Sequence, residues 1–406
     1  MGRRKNGPRG PPDMSKVYLV SACRTPIGKF QGALSGFRAP ELGALAVAEA
    51  LSRAGVGGDA LDEVILGNVL QAGVGQNPAR QAARGAGIPD EVAPFTVNKV
   101  CGSGLKSVML AAQSIKAGDN DLVVAGGMES MSQAPYLVPS ARKGARLGDA
   151  KLVDAMVHDG LWDVYSNKHM GLTGELVANE YEISREQQDE FAAQSHAKAA
   201  AAWDAGKFDA ETFDVSVPQR KGDPLVVRRD EGIRGDATAE GLARLRPAFA
   251  KEGTVTAGNA SQISDGASAL VVASEAAVEK HGLKPLAEVT AYAAGGMAPE
   301  WVMMAPKAAV ENLEARSGMS RHDFDLIEIN EAFASGACSL LKTLKLDAGK
   351  VNVNGGAVAL GHPIGASGAR ILVTLLHAMA DRGAETGLAT LCLGGGNAVA
   401  LAVKSC

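Results

Sequence analysis

The chain has 406 residues, of which 46% are apolar, 21% are charged and 4% are aromatic. This composition is typical of globular proteins, and the length exceeds one average domain, so we expect two or three domains. The formal net charge of −4 disfavours a dedicated nucleic-acid-binding protein. No apolar run approaches the roughly 18 residues that a membrane-spanning helix requires, which argues against a membrane protein.

The cysteine pattern indicates a reducing compartment. The five cysteines are Cys23, Cys101, Cys338, Cys392 and Cys406. An odd number, with no pair at metal-finger spacing, predicts neither a disulfide framework nor a zinc site. We therefore expect a cytoplasmic protein without a metal. Residues 1–13 are basic and rich in Gly and Pro, which predicts a disordered extension, with a short transit peptide as the alternative.

The first third of the chain alternates helix and strand patterns. Apolar periodicity predicts one helix from Pro40 to about Gly55 and another from just after Cys101 to Gly118. The predicted strands are 64–67, 92–97 and 122–125. Cys101 therefore lies between a strand and the start of a helix.

The last third repeats this order. A helix begins near Pro306, strand 326–329 leads to Asn330, and His362 lies at the mouth of another helix. The segment VNVN at 351–354 precedes two glycines, and a last strand is predicted at 388–393. Asn68 precedes Cys101 by 33 residues, and Asn330 precedes His362 by 32. We interpret this as a duplicated α/β fold that binds ligands at the carboxyl ends of its strands, although helix–strand alternation is common enough to arise by chance.

The middle of the chain, 135–255, is richer in charge and is predicted to be an inserted lid or loop domain. A self-standing helical domain is the alternative. Its long helix, 184–206, opens with Ser184 and Gln187, which form a capping-box pattern. The predicted N-terminal half consists of residues 14–134 together with about 256–283. The predicted C-terminal half consists of residues 284–406.

Cys101 and His362 could form a nucleophile and its base. Backbone N–H groups and the helix dipole face a cysteine at a helix start, so we expect the pKa of Cys101 to be lowered. His362, in GHPIGASG, lies at the matching landmark of the second half and could accept the thiol proton. Taken singly, each residue is more often structural: a buried small cysteine or a satisfied loop histidine.

Two further residues lie at strand ends. Cys392 precedes Gly394-Gly395-Gly396, whose bare backbone allows a ligand to approach closely, and Asn330 follows a buried strand. Alone, Cys392 would more often be a core residue and Asn330 a turn or cap. No HExxH, GxSxG or GxGxxG motif supports another enzyme class. Arg220, in a short basic run, could hold a phosphate or form part of a solvated face.

Together these segments resemble the thiolase family. The resemblance is carried by NKVCGSGL around Cys101, NEAFA around Asn330, NGGAVALGHPIGASGAR around His362 and LCLGGG around Cys392. Further matches are SACRTPIGKFQGAL, GGMESMS, HMGLTGE and LRPAFAKEGTVTAGNAS, so the similarity covers essentially residues 15–405. The motifs are most similar to those of the acetyl-CoA acetyltransferase branch. The resemblance implies a thiolase-like fold of two mixed-sheet α/β halves packed in layers, with an inserted loop domain.

The resemblance also implies roles. Cys101 would carry the acetyl group as a thioester, His362 would take the thiol proton, and Cys392 would exchange a proton with the second acetyl-CoA. One oxyanion hole would consist of His362 and a water held by Asn330, and the other of the backbone N–H groups of Cys101 and Gly394. The CoA or substrate contacts would be His169, Met170, Arg220, Ser261 and Phe333. No metal or redox cofactor would be needed, because the CoA thioesters are themselves the substrates.

The implied reaction is the reversible condensation of two acetyl-CoA to acetoacetyl-CoA and CoA. The alternative is a 3-ketoacyl-CoA thiolase for longer chains in fatty-acid or aromatic breakdown. One departure bears on that choice: where family members usually have Met-Gly-x-Gly-Pro, residues 301–306 read WVMMAP. A ketoacyl synthase is disfavoured by Cys392, and a catalytically dead CoA-binding scaffold by the intact catalytic positions. The resemblance further implies a homodimer or homotetramer, with no nucleic-acid or membrane partner.

Overall fold

The computed structural model describes residues 16–406, so the predicted extension at 1–13 lies outside the described part of the chain. The elements up to residue 130 are strands β1 (Val17–Arg24), β2 (Gly28–Lys29), β3 (Glu63–Gly67), β4 (Ala93–Val97) and β5 (Leu122–Ser130) and helices α1 (Ala39–Ala54), α2 (Pro78–Gly85) and α3 (Ser103–Ala117). The two predicted helices are confirmed as α1 and α3. Each ends where a glycine, Gly55 or Gly118, adopts the left-handed conformation that stops a helix.

The chain leaves the main sheet after β5 and returns to it at residue 264. The elements between are β6 (Tyr136–Leu137), β7 (Val153–Asp154), β8 (Trp162–Asp163), β9 (Lys168–His169), α4 (Met170–Glu180), α5 (Arg185–Asp204), β10 (Val215–Val217), β11 (Leu225–Val227) and α6 (Ala239–Leu242). The capping box predicted for α5 is present, because Ser184 and Gln187 each bind the other's backbone N–H. The limits chosen for the inserted domain, 135–255, remain a prediction.

The rest of the chain completes the sheet. Its elements are β12 (Ser264–Ser274), α7 (Glu275–His281), β13 (Ala287–Gly296), α8 (Ala305–Ser317), β14 (Leu326–Ile329), α9 (Ala334–Leu344), α10 (Ala357–Leu360), α11 (Ser367–Arg382), β15 (Thr386–Leu393) and β16 (Asn397–Ser405). A short 3₁₀ turn, Pro299–Met304, precedes α8. No helix within residues 16–406 is both long and apolar enough to cross a lipid bilayer.

The strand order shows the duplication directly. In the N-terminal half, β1, β12 and β5 run antiparallel to their neighbours, and β3 and β4 continue in parallel from β5. In the C-terminal half, β13, β16 and β15 are antiparallel, and β14 continues in parallel from β15. The halves meet where β1 pairs with β13, so they share one mixed sheet. The predicted duplicated α/β fold is therefore confirmed.

The halves differ at the edge next to β14. The segment 351–354 occupies the place that β4 has in the other half, but only Val351 forms a bridge there, to Ile327. Asn352 adopts a positive φ of 45°, which turns the chain away from the sheet. Its side-chain amide accepts from the N–H of Ile329 (2.8 Å) and donates to the carbonyl of Ile329 (2.8 Å). A side chain thus replaces the missing strand's backbone.

Helices α3 and α11 form a buried layer between the halves and determine where the site lies. Their apolar side chains share one core cluster, including Leu105, Val108, Ile371 and Leu375. The helices cross closely, since a Cβ added to Gly104 would lie 2.7 Å from the backbone nitrogen of Ala369. The first turns of two equivalent helices therefore lie side by side, which brings Cys101 and His362 to the same place.

Candidate active site

Cys101 lies in a strained turn. Val100, immediately before it, has a φ of 46°, a left-handed conformation that is costly for a β-branched residue. Ser103 fixes the turn, because its hydroxyl accepts from the N–H of Lys99 (2.8 Å) and donates to the carbonyl of Val100 (2.6 Å). Gly102 has no room for a side chain, since a Cβ there would collide with Leu393. Cys101 is thereby held against the end of β15.

His362 follows α10 and is almost fully buried. Its backbone N–H donates to the carbonyl of Gln262 (3.1 Å), and its Nδ1 lies 2.6 Å from Oγ of Ser367. The Ser367 hydroxyl donates to the carbonyl of Pro363 (2.9 Å), so it accepts from Nδ1–H of His362 and leaves Nε2 as the proton acceptor. Burial, reinforced by the positive charge of Arg370, lowers the pKa of His362 to about 3. The imidazole is therefore neutral at physiological pH and can accept a proton.

Cys101 and His362 share a small, mostly apolar cavity of about 60 Å³ with most of the other predicted residues. The predicted site residues that line it are Cys101, His362, Cys392, Gly394, His169, Met170, Ser261 and Phe333. Its wall also includes Val302 and Met303 of the turn before α8. Thiols from the two halves therefore face one space, together with the imidazole.

The expected low pKa of the nucleophile is wrong for this structure. Burial raises the pKa of Cys101 to about 12, and the neighbouring Cys392 and Glu129 add to the rise. The backbone N–H groups of Cys101 and Gly394 lower it, as expected for a turn at a helix start, but they do not outweigh desolvation. Burial likewise raises the pKa of Cys392 to about 11. Both thiols are protonated in the resting site.

Asn330 lies behind His362. Its Nδ2 is 3.5 Å from Nδ1 of His362, and its backbone N–H donates to the carbonyl of Thr390 (3.2 Å). Its Oδ1 is buried and has no hydrogen-bond partner within residues 16–406. Because a buried amide oxygen without a partner is costly, Asn330 is suited to hold a water or a substrate group.

A wider channel of about 430 Å³ continues from the cavity and shares Leu161, His169, Ser261 and Phe333 with it. Phe249 forms part of the channel wall, stacked on His169 at 4.7 Å between ring centroids and edge-on to Phe333 at 6.0 Å. A channel with a mostly apolar wall suits a flexible chain that makes polar contacts only at defined points.

A second opening of about 600 Å³ shares Val100, Gly160, Met170 and Gly394 with the cavity. Arg220, by contrast, is exposed in the turn between β10 and β11 and is not among the residues that line these three spaces. The structure therefore brings together the predicted residues except Arg220, whose contact with CoA remains a prediction without geometric support.

Phe249 and Ser367 were not singled out from the sequence. The sequence could have indicated Phe249, because it is an aromatic residue within LRPAFAKEG in a chain with only 4% aromatic residues. Ser367 had none, because a serine at the start of a helix is usually a cap. Among the described residues, no group of three or more His, Cys, Asp or Glu side chains is placed to hold a metal ion.

Comparison with known proteins agrees with this geometry. The family described as "Thiolase, N-terminal domain" matches residues 17–276, and "Thiolase, C-terminal domain" matches residues 283–405. An acetyl-CoA acetyltransferase of Cupriavidus necator is 56% identical over 391 residues, covering 96% of this chain and 100% of the relative. One of Chromobacterium violaceum is 56% identical, covering 96% and 99%. The crystal structure of the Bacillus anthracis acetyl-CoA acetyltransferase has a TM-score of 0.95 at 43% identity, covering 98% of this chain and 100% of that one.

Proposed function

The chain belongs to the thiolase family, and we propose that it is an acetyl-CoA C-acetyltransferase that joins two acetyl-CoA into acetoacetyl-CoA and CoA, reversibly. The observation that carries this proposal is the single small cavity in which Cys101, His362, Cys392 and Gly394 meet. Relatives that are 53–56% identical over nearly the full chain bear the name acetyl-CoA acetyltransferase.

In the first half-reaction, Sγ of Cys101 bonds to the carbonyl carbon of acetyl-CoA, and the bond from that carbon to the CoA sulfur breaks. The thiol proton passes through His362 to the leaving sulfur, so CoA departs as a thiol. Because the pKa values of about 12 and about 3 disfavour both ions in the buried cavity, we expect proton transfer to accompany the attack rather than precede it. The N–H groups of Cys101 and Gly394 would stabilise the oxyanion.

In the second half-reaction, the Cys392 thiol gives its proton to the neutral His362, and the resulting thiolate takes a proton from the methyl group of a second acetyl-CoA. The resulting carbon attacks the acetyl group on Cys101, the carbon–sulfur bond breaks, and His362 returns its proton to the departing Cys101 sulfur. His362 and a water held by Oδ1 of Asn330 would stabilise the enolate oxygen. One such donor typically contributes about 2.7–4 kcal/mol to lowering the barrier. This chemistry needs no metal or redox cofactor.

The shape of the cavity favours acetyl groups over longer chains. A volume of about 60 Å³, with Val302 and Met303 in its wall, accommodates two or three heavy atoms beside the cysteines. Val302 and Met303, which lie in the segment 301–306 that departs from the family pattern, form part of the wall of this cavity. This supports the short-chain reading over a 3-ketoacyl-CoA thiolase for longer chains.

The channel supports CoA binding. Its apolar wall, with Phe249, His169 and Ser261, would hold the pantetheine arm, and Lys29 near its mouth offers a cation for a CoA phosphate. We propose Lys29 as a phosphate contact in addition to Arg220. Charge reversal of each residue tests each contact separately. Reversal at a residue that binds a CoA phosphate should raise KM for acetoacetyl-CoA and CoA with little change in kcat.

The test of the proposed function is CoA-dependent thiolysis by the purified enzyme of acetoacetyl-CoA against a medium-chain 3-ketoacyl-CoA. We expect a strong preference for the four-carbon substrate, and mass spectrometry should find one acetyl group on the Cys101 peptide after incubation with acetyl-CoA. Equal or better cleavage of the longer chain would favour the broad 3-ketoacyl-CoA thiolase. Acetylation at another residue would remove Cys101 from its role.

We also propose a cytoplasmic homodimer or homotetramer, without nucleic-acid or membrane partners. All five cysteines are free, which fits a reducing compartment. The hairpin of β6 and β7 presents Tyr136 and Leu147, 64% and 99% exposed, which suits contact between copies of the chain. Analytical ultracentrifugation should find the oligomer, and Leu147→Glu should reduce a tetramer to dimers if this hairpin joins them.

A further inference from the structure

Glu129, at the end of β5, is a fully buried carboxylate that the proposed mechanism does not use. Its two oxygens accept four hydrogen bonds. Oε1 accepts from Nδ2 of Asn68 (2.7 Å) and the N–H of Leu70 (3.2 Å), and Oε2 accepts from the N–H of Val69 (3.1 Å) and of Gly365 (2.9 Å). Within residues 16–406 it has no ion-pair partner.

These bonds connect the two halves at the site. Asn68, Val69 and Leu70 form the turn after β3 of the N-terminal half, whereas Gly365 belongs to residues 361–366, which we call the His362 loop. The contact is close, since a Cβ added to Gly365 would lie 2.6 Å from the carbonyl of Met128. Glu129 therefore links the turn at residues 68–70 directly to the His362 loop.

We propose that Glu129 is a positioning residue for the proposed thiolase reaction: it holds the His362 loop against the turn at Asn68–Leu70 and so sets the place of His362 relative to Cys101. A misplacement of about 1 Å in a catalytic group can cost a hundredfold in rate, so such a link affects turnover without touching substrate. The inference rests on the proposed function for its kinetic consequence.

A carboxylate is required here for a chemical reason. All four groups that face Glu129 are donors, and a carboxylate offers only acceptors. In Glu129→Gln, one of the two oxygens becomes an NH₂ group that faces N–H donors. If it faces Asn68, that residue can turn its unpartnered Oδ1 to accept, but Leu70 still loses its acceptor. If it faces Gly365, the link to the His362 loop breaks.

The charge of Glu129 gives a second readout. The titratable groups that face Cys101 are Cys392, Glu129 and, across the cavity, His362; Asp265 on β12 in turn faces Glu129. Burial raises the pKa of Glu129 to about 7, so the carboxylate is charged above that pH and then raises the pKa of the Cys101 thiol. Removing the charge should make Cys101 more acidic, whereas loss of packing alone would not.

The experiment compares Glu129→Gln, which removes the charge, with Glu129→Asp, which keeps it but shortens the reach to Gly365. The matched control is Glu175→Gln, since Glu175 also accepts backbone N–H groups, those of Thr254 and Val255, but does not line the cavity. Two quantities are measured on each full-length enzyme: kcat and KM for acetoacetyl-CoA thiolysis, and the rate at which iodoacetamide alkylates Cys101 well above and well below pH 7.

We expect both Glu129 variants to lose about tenfold to a hundredfold in kcat, with KM within about threefold. Alkylation above pH 7 should be faster in Glu129→Gln than in wild type and unchanged in Glu129→Asp, while Glu175→Gln should match wild type in both measurements. Wild-type kcat in either Glu129 variant would overturn the proposal. So would failure of both to fold, which would show a purely structural role. An inactive wild-type enzyme would instead refute the proposed function, and alkylation would still report the charge effect.

Discussion

The two halves of the molecule share a strand order but use equivalent turns differently. Asn68 follows β3, and Asn330 follows β14, the equivalent strand. The amide nitrogen of Asn68 donates to Glu129 at 2.7 Å, whereas the amide nitrogen of Asn330 lies 3.5 Å from Nδ1 of His362; Oδ1 has no partner among the described residues in either side chain. The turn after β3 thus takes part in the hydrogen bonds to Glu129 that link it to the His362 loop, and the turn after β14 lies next to the catalytic histidine. The two halves therefore provide the same scaffold, and different contacts at the equivalent strand ends give the two turns different roles.

The helix starts show the same division. Cys101 precedes α3 in a turn strained at Val100, and His362 precedes α11 in a loop linked to Glu129. Neither half contains a complete site, because the nucleophile comes from one and the base and second thiol come from the other. Substitutions at these positions should therefore have different effects in the two halves.

Cys101→Ser should abolish acyl transfer, lowering kcat by about 10³-fold or more while the fold is retained, because a hydroxyl in this buried site is a far weaker nucleophile. The control is Cys338→Ser in α9, a half-buried cysteine that does not line the cavity. Its thiolysis rate should stay near that of wild type. An active Cys101→Ser enzyme would refute the assignment of the nucleophile.

Cys392→Ala should separate the half-reactions. Condensation should fall by about 10²–10⁴-fold, the range for loss of a general base, because no other cysteine lines the cavity beside Cys101. Formation of the acetyl enzyme from acetyl-CoA should persist and can be measured as a burst of released CoA. If the burst disappears together with condensation, the two thiols do not have separate tasks.

Asn330→Ala and Asn68→Ala compare the equivalent turns directly. Loss of Asn330 should lower kcat for condensation by about 10²–10³-fold, as for one oxyanion donor. Loss of Asn68 removes one hydrogen bond to a charged group and should chiefly lower the free energy of unfolding, by about 1–3 kcal/mol, with a smaller fall in kcat. Kinetics and thermal denaturation measure both. Equal kinetic losses would contradict the division of tasks.

Met303→Ala should widen the acyl pocket. Removing a thioether side chain from the wall of a cavity of about 60 Å³ should improve kcat/KM for a six-carbon 3-ketoacyl-CoA relative to acetoacetyl-CoA by about tenfold or more. Met304→Ala is the matched control, since Met304 is also buried but does not line the cavity. A shift of the same size in both variants would show that general loosening, rather than Met303, sets chain length.

The pH dependence of Cys101 alkylation follows from its raised pKa. With a pKa of about 12, the thiolate fraction should rise close to tenfold per pH unit between about pH 7 and pH 10, without a plateau. Ionisation of Glu129 near pH 7 should flatten the rise slightly, because it disfavours the thiolate. Stopped assays with iodoacetamide measure this profile. A plateau at neutral pH would mean that the N–H groups of Cys101 and Gly394 outweigh desolvation.

Much of the fold was readable from the chain because local physics fixes it. Helices α1 and α3 end where glycines permit a left-handed residue, and α5 begins at a side-chain cap. Segment 351–354 shows the limit: its β-branched pattern resembles an edge strand, yet the positive φ of Asn352 and its side-chain bonds to Ile329 replace the strand. Such a replacement depends on a partner distant in the sequence.

The sequence alone determined the family, the duplicated halves and the residues able to do chemistry, since motif composition and spacing are local properties. Only the tertiary structure decided that α3 and α11 cross at glycines, that desolvation raises the pKa of the partly buried Cys101 thiol, and that Arg220 does not line the cavity. It also decided that Glu129 links the halves. Desolvation and long-range contacts depend on the atoms that surround a residue in space, and these come mostly from other parts of the chain.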